Sequence, residues 1–199
     1  WHTGSYADFQ VYLIRDKKYS RNGYFMLTGT AASAAPGNLW SSLANPLTSS
    51  VIYDIYDDQK WNLAVRIKSK ANPWIPTVNT FDSETAPEYE ISLYGVNAVG
   101  SMVQSSFNVT ASISETNGDN FLKHPKRLYI GAHRTNFTGT VLTRSDLKIS
   151  STRIWMNHLD NAAVNAHAID STNYGAGYPQ RSAFVFDNVS GLSGSAVPE

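Results

Sequence analysis

The sequence predicts an all-β domain, a two-sheet antiparallel jelly-roll sandwich with one short C-terminal helix. Three observations predict it. Short runs of β-branched and aromatic residues recur along the chain, each bounded by turn residues. In Trp61–Lys68 the odd positions are apolar or aromatic and the even ones mostly polar, the alternation of a strand with one dry face. Only Asp160 to Ile169 has helical character.

In order, Phe9–Ile14 and Gly23–Thr28 read as strands, the second introduced by the turn dipeptide Asn22-Gly23. Ala31–Pro46 is rich in small residues and reads as an irregular loop around Leu39-Trp40. Val51–Tyr56 and Trp61–Ser69 are expected to be strands flanking a hairpin-like turn, Asp57-Asp58-Gln59-Lys60. Asn72-Pro73-Trp74-Ile75-Pro76 breaks the pattern and reads as a loop. Glu88–Gly95 and Ser101–Ser114 are two further strands, and Asn117–Asn120 is a turn. Arg127–Ala132 and Asp146–Met156 are expected as the last strands before the helix. Asp160 suits an N-cap, and Ala162, Ala163, Ala166 and Ala168 are strong helix formers. The expected domain is 1–177, with 178–199 as an extension or linker toward a further domain, because Ser190–Ser195 is linker-like. The start at Trp1-His2 suggests an ordered piece of a longer protein, or a processed N-terminus.

Composition narrows the function classes. At 199 residues one large β domain fits better than two small ones. A domain of this size buries roughly 70% of its unfolded surface and needs no covalent staple. Charged residues are 16% and formal net charge is +0, so steering toward nucleic acid or an anionic membrane is not expected. The absence of cysteine excludes a disulfide framework, a cysteine zinc site and a thiol nucleophile. There is no P-loop, no dinucleotide fingerprint, no G-x-S-x-G elbow and no H-E-x-x-H.

Three anchors give the chain a family likeness over Tyr6–Tyr174. Trp61-Asn62-Leu63-Ala64-Val65 matches a "W-h-h-l-A-v" strand, and Glu90–Val96 matches a strand leading into an "l-Y-v-d-G" turn, here Val96-Asn97-Ala98-Val99-Gly100. The third anchor is the order Gly131, Phe137-x-Gly139, Trp155. On these residues the chain resembles laminin-G-like, concanavalin A-type lectin-glucanase sandwich domains. The stretch Arg153–Asp160, followed by Ala166–Asp170 and Asn173-Tyr174-Gly175, is similar to modules that end this way in large virion proteins of tailed bacteriophages. That resemblance implies a capsid- or tail-associated structural protein.

Glu88 and Glu90, two apart on a strand, share one face. Sandwich glycosidases carry a Glu-x-Asp-x-Glu row there, and a retaining pair needs carboxyl groups about 5–5.5 Å apart. Here Ser92 breaks the row, so two solvated acids are the plainer reading. Asp54, Asp57 and Asp58 are calcium candidates, since laminin-G-like domains often carry a rim calcium, but a polar turn explains them equally well. Trp74, Trp40 and Tyr56, with Tyr53, are candidates for a sugar-stacking platform. Trp74 also suits an edge anchor or a subunit contact. Trp61 and Trp155 are assigned to the core. His158 and His167 flank the helix, and a structural role for His167, bonded into the turn with Asp170, outweighs metal ligation. Lys123–Arg127 is the densest basic cluster and suits a phosphate or an acidic partner, or a solvated strand entrance. Asn108, Asn136 and Asn188 head glycosylation sequons that matter only in a eukaryotic secretory context.

The expected function is a non-enzymatic structural or interaction module of a larger virion protein, without a cofactor. Its partners would be other virion subunits in a homo- or hetero-oligomeric assembly, and neither nucleic acid nor a membrane. The alternatives are a carbohydrate-binding laminin-G-like domain, on a virion or a cell surface, and a sandwich glycoside hydrolase acting through Glu88 and Glu90.

Overall fold

A computed structural model describes residues 2–3, 6–7, 9–28, 46–70, 88–114, 117–118, 122, 128, 130–134, 141–144, 148–155 and 158–173. The described strands are β1 His2–Thr3, β2 Tyr6–Ala7, β3 Gln10–Arg15, β4 Gly23–Thr28, β5 Leu47–Thr48, β6 Trp61–Ser69, β7 Tyr89–Val99, β8 Met102–Ile113, β9 Ala132–Arg134 and β10 Val141–Arg144. A helix, α1, spans Asn161–Ile169. Strand is thus the main element among the described residues, which form two antiparallel three-stranded sheets, β3-β4-β5 and β6-β7-β8, and two short pairs, β1-β2 and β9-β10.

In the first sheet β4 is central and alternates cleanly, with Phe25 and Leu27 buried and their neighbours half-buried. In the second sheet β7 is central and is covered on both faces. Its odd residues Ile91 and Leu93 cluster with Phe25, Leu27, Ile55 and Ile113, so a dry core joins the two sheets. Phe107 stacks on Phe25 with centroids 5.5 Å apart, and Trp61 tilts against both rings. Gly95 faces Phe107 in the register, and a Cβ there would sit 2.2 Å from the ring, so only glycine leaves room for it.

The even residues of β7 face α1. Tyr94 and Val96 pack with Leu159, Val164 and Ala168, and Trp155 packs against this cluster. Val164, His167 and Ala168, three and four apart, are the buried stripe of the helix. The Tyr94 hydroxyl donates to Asn165 Oδ1 at 2.7 Å. Asp160 caps the helix, its Oδ1 accepting from the Ala163 N–H at 2.7 Å. His167 lies flat on Trp155, centroids 5.2 Å apart, while Asp170 accepts from the backbone N–H and the hydroxyl of Thr172.

Several expected elements differ. Val51–Tyr56 is not a strand: Ile52 makes one isolated bridge to Gly23, and the rest turns. Asp54 and Asp58 take positive φ values of 53° and 56°, which aspartate tolerates better than its β-branched neighbours, and this overrides the strand propensity of Val51-Ile52-Tyr53. The Asp57–Lys60 segment therefore does not close a hairpin onto β6. Residues 148–155, expected as strand, join no sheet among the described residues. Arg153 instead ties this segment to the helix exit, donating to the carbonyls of Asn173, at 2.7 Å, and Ser171. Leu128 and Ile130 lie outside any strand, and β9 begins only at Ala132, after Gly131 at φ 71°. Val96–Val99 belongs to β7 rather than to a turn. The turn is the two-residue loop Gly100-Ser101, with Gly100 at φ 60° and an irregularity after Asn97 that leaves Gln104 unpaired. The even side of β6 is not wet either, for Arg66 is the most buried residue of that strand.

Candidate functional site

The register of the second sheet brings polar residues of three strands to one patch on the helix side. Lys68 pairs with Glu90 and Glu90 with Ser112; Arg66 pairs with Ser92 and Ser92 with Thr110. Asn108 follows opposite Tyr94. The helix entry, His158 to Ala162, stands beside this patch, and between them lies an open recess of about 430 Å³.

Arg66 is its centre. Its Nε donates to Ser92 Oγ at 3.2 Å, and Nη1 donates to the Leu159 carbonyl at 3.1 Å and to Asn161 Oδ1 at 2.8 Å. Nη2 donates to Asn108 Oδ1 at 3.2 Å, and the guanidinium lies over the Tyr94 ring at 4.9 Å. One arginine thus fastens three strands to the helix entry. Burial holds its guanidinium below the usual arginine range, while Tyr94, Glu90 and Asp160 pull in the opposite direction. Burial also lowers the His158 imidazole, helped by the charges of Arg66 and Lys68 and opposed by Glu90 and Asp160.

Glu88 and Glu90 are each joined to a lysine of β6 or just beyond it: Glu90 to Lys68 at 3.3 Å, Glu88 to Lys70. Glu90 lines the recess; Glu88 does not. Asp54, Asp57 and Asp58 lie in the turn before β6, where Asp57 meets Arg21 at 3.4 Å. Among the described residues no group of three or more histidine or acidic side chains is placed to hold a metal ion. Tyr56 lies away from the recess, against the core between the sheets. The Arg15 guanidinium covers its ring at 3.8 Å, and its hydroxyl donates to the Leu13 carbonyl at 3.3 Å. Tyr53 is exposed. Trp61 and Trp155 pack against the two core clusters. Trp40, Trp74, Asn136, Asn188, Phe137–Gly139, Lys123–Arg127, Tyr174 and residues 178–199 lie outside the described residues.

A second open recess, about 690 Å³, lies at the other end of α1, between Ile169, the β7–β8 hairpin and the Asp58–Lys60 turn. Its rim is apolar and exposed at Val99 (64%), beside Met102 (66%) at the hairpin tip.

Sequence reasoning did not single out Arg66 or Asn161, and it read Asn108 only as a sequon, Asp160 only as an N-cap and Ser92 only as the break in an acid row. The available signal was a set of polar residues at alternate positions of three consecutive strands, which share a face once the strands are in register. Among the described residues no helix is long and apolar enough to cross a membrane. Comparison of the chain with protein-family models, with curated proteins and with solved structures found no match in any of the three.

Proposed function

We propose that this chain is a non-enzymatic interaction module of a larger virion protein, capsid- or tail-associated, whose sheets belong to a concanavalin A-type jelly roll. The observation that carries the reading is the exposed apolar tip of the β7–β8 hairpin, where Val99 and Met102 are paired and largely exposed, and where Val99 lines a recess with the half-exposed Ile169. Contiguous exposed apolar side chains on an otherwise polar rim mark surfaces that meet another protein. The glycoside hydrolase reading has less support, because both candidate carboxylates are engaged by lysines and neither sits as a lone acid in an apolar pocket. The deciding experiment is an image of the native particle at side-chain resolution. The reading expects Val99 and Met102 buried in a contact of about 1,000 Å² or more. A domain projecting freely, with both residues in solvent, would overturn it.

A second reading, a carbohydrate-binding laminin-G-like domain on a virion or cell surface, is favoured by the polar recess around Arg66. Its lining includes the donors and acceptors Lys68, Glu90, Asn108 and Asn161, the kinds of group that recognise hydroxyls. Binding to a glycan array that is lost when the recess is altered would support it. Undiminished binding after Asn108→Asp would sink it.

A further inference from the structure

The recess at the entry of α1 holds a charge that its own walls do not pair. Arg66 is only 9% exposed, yet among the described residues no carboxylate lies within ion-pair distance of it. Its bonds go to neutral acceptors: Ser92 Oγ, the Leu159 carbonyl, Asn161 Oδ1 and Asn108 Oδ1. Buried charges are ordinarily met by an opposite charge, because desolvation costs several kcal/mol per ion. The two acids that line the recess act on Arg66 through space, but their direct contacts are with other groups. Glu90 holds Lys68, and Asp160 caps the helix.

The bonds also orient the wall. A guanidinium only donates, so the carboxamide atoms that face it must be the oxygens of Asn108 and Asn161. Their Nδ2 groups are thereby turned away from Arg66, and both residues line the recess. Lys68 adds an ammonium at the rim. The wall thus carries donors beside the carboxylates of Glu90 and Asp160, each of which has one oxygen engaged. The helix end is not what would hold a ligand, since Asp160 already occupies it.

We propose that this recess is a binding site for a carboxylate, carried either by a free small acid or by an acidic sugar residue. The carboxylate would accept from the Nδ2 groups of Asn108 and Asn161 and from Lys68, with the Arg66 charge behind it. A volume of about 430 Å³ suits a ligand of sugar size. The site stands whether or not the hairpin tip is a subunit contact, so its failure would leave that reading intact.

The test is titration of the whole chain with glucuronate, acetate and glucose, read by NMR at the side-chain amides of Asn108 and Asn161 and at the His158 imidazole. Glucuronate should shift these signals and raise the His158 pKa, since an anion beside the ring favours its charged form. Glucuronate binding tighter than acetate identifies the sugar acid as the source, and equal binding identifies the free acid. Glucose binding as tightly as glucuronate, or no shift with either acid, overturns the proposal. Asn108→Asp is the informative variant. Its new carboxylate would pair with Arg66, so the fold should hold while glucuronate binding weakens about 10-fold or more. A folded Asn108→Asp chain that binds glucuronate as the parent does would also overturn it.

Discussion

The two faces of β7 solve burial by opposite means. On the odd side Ile91 and Leu93 meet Phe25, Leu27 and Ile113, and apolar contact is all that is needed. On the even side Tyr94 and Val96 pack with Leu159 and with Val164 and Ala168 of α1, while Ser92 accepts from Arg66, which is bonded into the seam. Burying apolar area is favourable whatever its direction, so the odd face supplies stability. Desolvation offsets much of what a buried guanidinium's bonds contribute, and those bonds work only in one arrangement, so the even face supplies position more than stability. One strand thus anchors the sheets on one side and fixes a recess on the other.

The largest effect should follow damage to the dry face. Leu93→Ala is expected to cost about 3 kcal/mol in urea unfolding, in the range of buried leucine truncations. Ser92→Ala, one residue away and facing α1, should cost about 1 kcal/mol, the worth of one hydrogen bond. Equal losses would break the distinction between the faces.

Next comes Arg66→Met, which keeps much of the side-chain volume and removes every bond. A loss of about 2 kcal/mol is expected, since the freed acceptors near the helix entry can find water. The sharper readout is hydrogen exchange. Amides within 163–169 should lose protection while those of Ile91 and Leu93 keep it. If both sets open together, the helix seam is not a separate unit.

This contrast sets what could be read from the sequence. β4, β6 and the helix with its Asp160 cap were legible, because alternation, turn dipeptides and capping are local. The second buried side of β6 was not visible, since alternation in Trp61–Lys68 announces one dry face and says nothing of a helix entry returning to cover Arg66 on the other. Residues 148–155 carry a strand-like composition, but Arg153 and Trp155 are engaged by the helix instead of by a neighbouring strand. Arg66 reads as an ordinary exposed even position until residues 93 and 95 further along the chain, Leu159 and Asn161, arrive beside it. Contacts of that separation leave no local pattern.

Asp160→Ala tests the helix entry alone. Removing an N-cap acceptor is expected to cost about 1 kcal/mol, less than Arg66→Met, with exchange rising first at the Ala163 amide. A cost larger than that of Arg66→Met would make the cap, and not the arginine, the principal fastener of the seam.

The gentlest effect should be a pH slope that belongs to the polar face only. The folded chain holds His158 below the ordinary histidine value, by burial first and then by Arg66 and Lys68, with Glu90 and Asp160 opposing. Above about pH 6.5 the imidazole is neutral in both states. As pH falls below that value the unfolded chain takes up a proton that the folded chain resists, so stability declines until the folded imidazole also titrates, and then levels off. Asp170 is held below the usual carboxylate range by its bonds to Thr172, so its contribution fades only at more acidic pH and does not overlap this window. Unfolding free energies measured between about pH 8 and about pH 5.5 should therefore slope in the parent and in Leu93→Ala, and flatten in His158→Gln. A slope that persists in His158→Gln would mean that another group, and not the buried His158, carries the pH dependence. The division of β7 into a stabilising face and a positioning face would then rest on the arginine bonds alone.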